Sequence, residues 1–291
     1  MNMISRRQLL KRSALLTGLV SSGFLTQSTP FGLTSKLKIG ACDWSIGKNS
    51  DMGVFEVAKK IGLEGIQVNL GSDKNNMHLR DATLQEAYLS ESRKTGIKIA
   101  SLAIGELNNV PYKSEPRTEQ WVWDAVDVAK KFGVRVILLA FFSKNDLRND
   151  EKGKNEVIRR LKMVAPKAEK MGVTLGIESY LSAEETMDII QKVGSKSVQV
   201  YYDFRNAADA GYDVMKEIKW LGKDAICELH IKENGFLLGT GTMDWKGISQ
   251  SLMEMEYIGH GWMQIEGATP KDADMVESYQ HNSTFLKALF R

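Results

Sequence analysis

Five helix-like segments in this chain end in the same way, and that punctuation restricts the fold more than any single motif. Ile61-Gly62, Thr95-Gly96, Phe132-Gly133, Met171-Gly172 and Val193-Gly194 each close a segment that carries Lys in its last turn, and an apolar run follows. Glycine enters the left-handed conformation without steric cost, and a cation sits favourably at the negative end of the helix dipole. Helix, glycine stop and strand therefore form a repeating unit. Strands are expected at 37–42, 65–70, 97–103, 134–140, 173–178, 198–203, 226–231 and 262–266.

The segments between them show apolar spacings of three and four, as in Val54, Val57, Ala58 and Ile61, or Val157, Ile158, Leu161, Val164 and Ala168. Ser182 with Glu185 three residues on reads as a capping box, and Asp51 and Asp244 read as helix caps. Eight alternating units give an α/β chain and a single-domain (β/α)8 TIM barrel over residues 35–291, in keeping with the roughly 250 residues such barrels occupy. Its active site belongs at the carboxyl ends of the strands. The longer segments 71–82 and 105–116 would overhang that face.

Four consecutive strands end on a residue able to bind a metal: Glu178, Asp203, His230 and Glu266, at spacings of 25, 27 and 36 residues. Each spacing is one strand-helix-strand step, so the four come to one sheet edge. Strand side chains alternate between faces. Two residues back from the four stand Gly176, Tyr201, Glu228 and Gln264, a small or polar set that shares their inward face. One residue back stand Ile177, Tyr202, Leu229 and Ile265, and three back Leu175, Val200, Cys227 and Met263, a mainly apolar set for the helix-facing side. Three carboxylates and one imidazole make a hard, oxygen-rich set that suits one divalent ion, Mn²⁺, Mg²⁺ or Co²⁺, with Zn²⁺ also accepted. Cys42 and Cys227 fall in expected strands and read as small buried core residues rather than a disulfide.

The formal charge of +3 is a property of the start of the chain. Arg6, Arg7, Lys11 and Arg12 lie in the first 34 residues, which hold no acid, and the remainder carries 35 basic against 36 acidic residues. With no basic stripe and no interleaved aromatics, nucleic acid is not an expected partner. Ser5-Arg6-Arg7-Gln8-Leu9-Leu10-Lys11 resembles a twin-arginine export signal, followed by a weakly apolar stretch at 14–25 and a Ser/Thr/Pro-containing exit. Residues 1–34 are thus expected to be signal and linker, with export to the periplasm. The apolar stretch is too short and too rich in Gly, Ser and Thr for a stable membrane anchor.

GIES around Glu178, YYDF through Asp203, LHIKE around His230, GTGTMDW at 239–245 and QIEG around Glu266 occur here in that order. In this ordered set the chain resembles the xylose-isomerase-like TIM-barrel superfamily, in its sugar (phosphate) isomerase/epimerase group with the tagatose and psicose 3-epimerases. The resemblance implies that Glu178, Asp203, His230 and Glu266 bind one divalent ion. It also implies that Glu178 and Glu266 act as an acid/base pair on opposite faces of a small carbohydrate. Glu184 matches a further family glutamate, which implies a substrate contact, though it can equally be a first-turn helix residue. Asn206 stands where ketose 3-epimerases carry a histidine, Phe236 where they carry an arginine, and Thr240 where relatives commonly have an acid.

Lys232 shares the inward parity of His230 and could touch a substrate oxygen, and Trp44 could provide a sugar-stacking wall. His78, His260 and His281 lack a partner pattern and are expected at the surface or at caps. The expected function is a metal-dependent isomerase or epimerase acting through an enediolate on a non-phosphorylated sugar or polyol. A lyase or hydratase on a keto-sugar and a non-catalytic sugar-binding protein are the alternatives. The sequence leaves the oligomeric state open.

Overall fold

The computed structural model describes residues 37–290, and the expected export signal at 1–34 lies outside them. Eight strands close into one parallel barrel: β1 (Ile39–Cys42), β2 (Gly65–Asn69), β3 (Lys98–Ile104), β4 (Val136–Phe141), β5 (Thr174–Ser179), β6 (Val198–Asp203), β7 (Ile226–Lys232) and β8 (Met263–Glu266). Each strand pairs with its sequence neighbours, and β1 pairs with β8 through Ile39 and Met263, Gly40 and Gln264, and Ala41 and Ile265. The helices α1 (Val54–Ile61), α2 (Ala82–Thr95), α3 (Arg117–Phe132), α4 (Glu151–Met171), α5 (Ala183–Val193), α6 (Phe204–Asp209), α7 (Val214–Leu221), α8 (Trp245–Glu254) and α9 (Met275–Leu289) lie between and after the strands. Among the described residues no helix is long and apolar enough to cross a membrane.

The repeated junction works as its sequence implies. Gly62, Gly96, Gly133, Gly172 and Gly194 cap their helices at φ between 68° and 85°, in the left-handed region. Ser182 and Glu185 form the expected capping box of α5, and Asp244 caps α8. Asp51 does not cap α1. Gly53 holds that position, and Asp51 instead accepts the Gly53 N–H at 2.7 Å in the turn before the helix.

The main core lies between strands and helices and includes Ile177, Tyr202, Leu229, Ile265, Leu175, Val200 and Met263. Cys227 departs from the expected alternation and packs in the barrel interior beside Tyr201. The cause is a register shift: Val200 pairs with Ile226, and the next pair is Tyr201 with Glu228, so Cys227 is an extra residue in β7. With no side chain, Gly176 opposite leaves the room, since a Cβ there would come within 2.8 Å of the Cys227 sulfur. Both cysteines are buried and free.

Candidate metal centre and active-site cleft

Glu178 on β5, Asp203 at the end of β6, His230 on β7 and Glu266 at the end of β8 converge at one edge of the barrel. Three carboxylate oxygens and the His230 imidazole nitrogen there lie within 4.8 Å of one another. His230 Nδ1 stands 2.9 Å from Glu178 Oε1, 3.7 Å from Glu266 Oε2 and 3.9 Å from Asp203 Oδ2. Asp203 divides its two oxygens. Oδ1 accepts the Asn206 N–H at 2.8 Å as the cap of α6, which leaves Oδ2 for the centre.

A surrounding shell fixes these groups. Trp44 donates its indole N–H to Glu266 Oε1 at 2.7 Å, and Lys232 places its ammonium 2.9 Å from Glu266 Oε2 and 3.5 Å from Asp203 Oδ2. Asn206 Nδ2 is 3.4 Å from Glu178 Oε1. Behind His230, Gln67 donates to Ser101 at 2.9 Å and to Tyr201 at 3.0 Å, turning its carbonyl oxygen toward His230 Nε2 at 3.2 Å. An acceptor on Nε2 holds the ring so that Nδ1 faces the carboxylates, the arrangement that orients a ligating histidine. Tyr201 donates onward to Glu228 at 3.3 Å.

Burial is the largest single influence on Asp203, Glu266 and His230, but neighbouring charges reverse its effect at the last two. Burial pushes the Asp203 carboxyl up to about 7 despite the Lys232 ammonium beside it. For Glu266 burial also raises, but His230 and Lys232 outweigh it and hold the carboxyl at about 2. Burial lowers His230, yet the charges of Glu178 and its neighbours lift it well above an ordinary imidazole. Deeper in the barrel, burial pushes Glu228 up to about 8.

The donors present fit one divalent ion. Three buried or half-buried carboxylates sharing so small a space repel one another strongly in a low-dielectric setting, and a central cation relieves all three at once. Their oxygens with one imidazole nitrogen are a hard set that suits Mn²⁺, Mg²⁺ or Co²⁺ and that Zn²⁺ tolerates. Cys42 lies 3.3 Å from His230 Nε2 and could complete a softer trio with Glu266. Burial pushes its thiol up to about 12, so the thiolate that soft metals require is disfavoured.

A cleft of about 550 Å³ opens over this edge. Of the four ligand candidates, Glu178 and Glu266 line it, while Asp203 and His230 lie buried behind them. Trp44, Asn206 and Lys232 line it too, and both expected overhanging segments contribute walls. Glu184 does not reach it. The capping box at Ser182 makes Glu184 the second residue of α5, where its side chain is exposed. Phe236 is exposed and outside the lining.

Sequence reasoning missed the pairing of Cys42 and Gln67 with His230, and it missed Asp43. Asp43 is buried at the end of β1, where Oδ2 accepts the N–H groups of Asn69 at 2.9 Å and Ser50 at 3.2 Å. Its Oδ1 has no hydrogen-bond partner. Burial, opposed by those N–H groups, pushes the carboxyl from 3.8 to about 7. Between those values the folded state holds a proton that the unfolded state has released, so stability falls as pH rises through the window and is level above it. Asp43→Asn should flatten that fall by on the order of a few kcal/mol. Urea unfolding of variant and wild type at about pH 4 and pH 8 measures it, and an unchanged difference between the two pH values would refute the assignment.

The family model of the xylose isomerase-like TIM barrel matches residues 55–289. A D-psicose 3-epimerase of Enterocloster bolteae is 27% identical over 136 residues, which cover 42% of this chain and 45% of that protein. The match thus spans less than half the length of that relative. Two solved structures share the fold. D-psicose 3-epimerase with D-tagatose from Clostridium cellulolyticum H10 superposes at a TM-score of 0.74 with 16% identity, over 88% of this chain and 100% of that one. The 3-keto-D-glucoside 4-epimerase of E. coli, in its apo form, superposes at 0.71 with 15% identity, over 87% and 100%. With the closed eight-stranded barrel and a family match across nearly all of it, the chain belongs to the xylose isomerase-like TIM barrel family.

Proposed function

We propose that the protein is a metal-dependent sugar isomerase/epimerase that works through an enediolate on a non-phosphorylated sugar or related polyol. The observation that carries this reading is the division within the quartet: Glu178 and Glu266 reach the cleft, while Asp203 and His230 stay behind them. All four would hold the divalent ion. When bound, that ion supplies Lewis acidity, polarising a carbonyl and the hydroxyl next to it.

The chain's own residues supply the proton transfers. One of the two glutamates removes the C–H proton beside the carbonyl, and the electron pair passes to the carbonyl oxygen to give the planar enediolate. The other glutamate returns a proton. Return to the opposite face of the same carbon inverts it, and return to the neighbouring carbon, with the hydroxyl proton passing to the former carbonyl oxygen, moves the carbonyl. Trp44 and Lys232, bonded to the two oxygens of Glu266, hold that carboxylate in place. The Lys232 ammonium, held between Glu266 and Asp203, also adds positive charge to a site in which negative charge develops.

Incubating the Mn²⁺-loaded protein with a panel of ketoses and 3-keto-glycosides in D₂O tests the reading by NMR. Deuterium entering beside the carbonyl together with a new epimer or isomer is the expected result. An enone product would identify the lyase instead, since the same proton removal permits loss of a β-leaving group. Tight sugar binding with no exchange from any member of the panel would leave the non-catalytic alternative. Export through the twin-arginine route, proposed from Arg6 and Arg7, predicts that Arg6→Lys with Arg7→Lys retains the protein in the cytoplasm on cell fractionation.

A further inference from the structure

The metal-ligand candidates occupy one half of the barrel mouth, the ends of β5 to β8, and the cleft extends beyond them. Its remaining wall crosses the ends of β1 to β4. A hexose has about twelve non-hydrogen atoms, and even at the ~30 Å³ that a water molecule takes in the liquid it fills at most about 360 Å³. The cleft measures about 550 Å³, so a sugar ring held at Glu178 and Glu266 leaves space over the β1 to β4 half.

That space has a distinct chemistry. Asn69 at the end of β2, with Asn49, Asn75, Asn108 and Asn109 from the segments after β1, β2 and β3, lines it. A carboxamide donates and accepts, as a sugar hydroxyl does, so the two are natural partners. Asn108 Oδ1 accepts the Phe142 N–H at 2.9 Å, which leaves its amide N–H groups as donors. Phe142 and Tyr180 also line the cleft, with ring centroids 4.8 Å apart and edge to face, and Arg148 lies 4.7 Å over the Tyr180 ring. Such a braced aromatic pair offers an apolar surface to the C–H face of a sugar ring. Lys232 is the only cation among the described residues that line the cleft, and it is committed to Glu266 and Asp203. The one carboxylate in the β1 to β4 half, Glu106, accepts from Asp73 N at 3.2 Å and from Asn109 at 3.1 Å. A phosphate would require cations or a cradle of N–H groups.

We propose that the β1 to β4 half of the mouth is a second sugar-ring subsite, and that the substrate is a neutral glycoside of two rings whose reacting ring lies at Glu178 and Glu266. This rests on the isomerase/epimerase reading for the identity of the reacting ring. The subsite itself is a matter of binding and is tested as such.

Turanose, maltulose, leucrose and isomaltulose are glucosyl-fructose isomers that differ only in linkage. Their binding to the Mn²⁺-loaded protein is compared by calorimetry with that of fructose and of fructose 6-phosphate. At least one disaccharide should bind about tenfold or more tighter than fructose, because a second ring adds contacts without a second loss of translational freedom. Fructose 6-phosphate should bind no tighter than fructose. Phe142→Ala should remove most of the disaccharide's advantage. Asn108→Asp keeps the oxygen that receives the Phe142 N–H and removes the amide donor, and it should weaken the disaccharide as well. Circular-dichroism melting confirms that both variants fold. Four disaccharides binding no tighter than fructose, or fructose 6-phosphate binding tightest, would overturn the subsite. Deuterium exchange on the same sugars keeps the two claims apart. Exchange on fructose with no preference for two rings sinks the subsite alone, whereas a two-ring preference with no exchange on any sugar sinks the isomerase reading alone.

Discussion

Glu178→Gln and Glu266→Gln are each expected to cut deuterium exchange into the sugar by about 10²–10⁴-fold, the usual contribution of a positioned acid or base. The carboxamide has nearly the shape of the carboxylate but cannot accept the substrate proton at its nitrogen and is a poor base at its oxygen. The two variants should nonetheless differ in stability. Glu266 receives Trp44 on one oxygen and Lys232 on the other, so an amide can keep only one of those bonds and must turn its own N–H groups toward the remaining donor. Glu178 faces His230 at 2.9 Å and Asn206 at 3.4 Å through one oxygen, which an amide carbonyl can replace. Glu266→Gln should therefore melt lower than Glu178→Gln. Both residues also belong to the proposed metal set, and metal content measured alongside exchange separates the two roles. The expected pattern for Glu178→Gln at saturating Mn²⁺ is a lost kcat with measurable sugar binding. Exchange retained within about threefold of wild type would remove Glu178 from the chemistry.

Stripping the protein with a chelator should abolish exchange, and restoring Mn²⁺ should recover it. Stability should change in parallel, because an ion that binds only the folded state adds about 2.7 kcal/mol at a hundred times its dissociation constant. For a barrel of this size that corresponds to roughly 5–10 °C in Tm. His230→Ala removes the nitrogen ligand from the middle of three carboxylates and should lose both the metal response of the Tm and the exchange. Wild-type metal content in that variant, or a Tm indifferent to Mn²⁺, would show that the cluster is no metal centre.

What the sequence disclosed depended on whether the governing physics was local. A glycine with a cation before it carries its meaning within a few residues, so the five junctions and the eight strands could be read directly. The quartet was legible for a related reason: parallel strands present their carboxyl ends to one edge, so four strand-ending ligand candidates must meet there. For Glu184 the sequence allowed two readings, substrate contact or first helical turn, and the capping box of Ser182 and Glu185 fixes the start of α5 and sends Glu184 to solvent. The bulge at Cys227 had no such trace. It follows from how β6 and β7 settle against each other, and an alternation count along one strand cannot contain it. The support that Gln67 and Cys42 give His230 comes from strands far away in the chain, and their spacing says nothing of it.

The bond from Trp44 to Glu266 joins residues 222 positions apart, across the pair of strands that shuts the barrel. Contacts between such distant segments carry the largest loop-closure cost and favour slow folding. The two ends of the proposed catalytic machinery come together only when the last strand docks on the first, so a chain with seven strands in place still lacks an ordered Glu266. The onset of exchange activity during refolding should then lag behind the recovery of helical signal. Turnover becomes a clock for barrel closure, and a partly folded chain remains chemically silent toward the sugars around it.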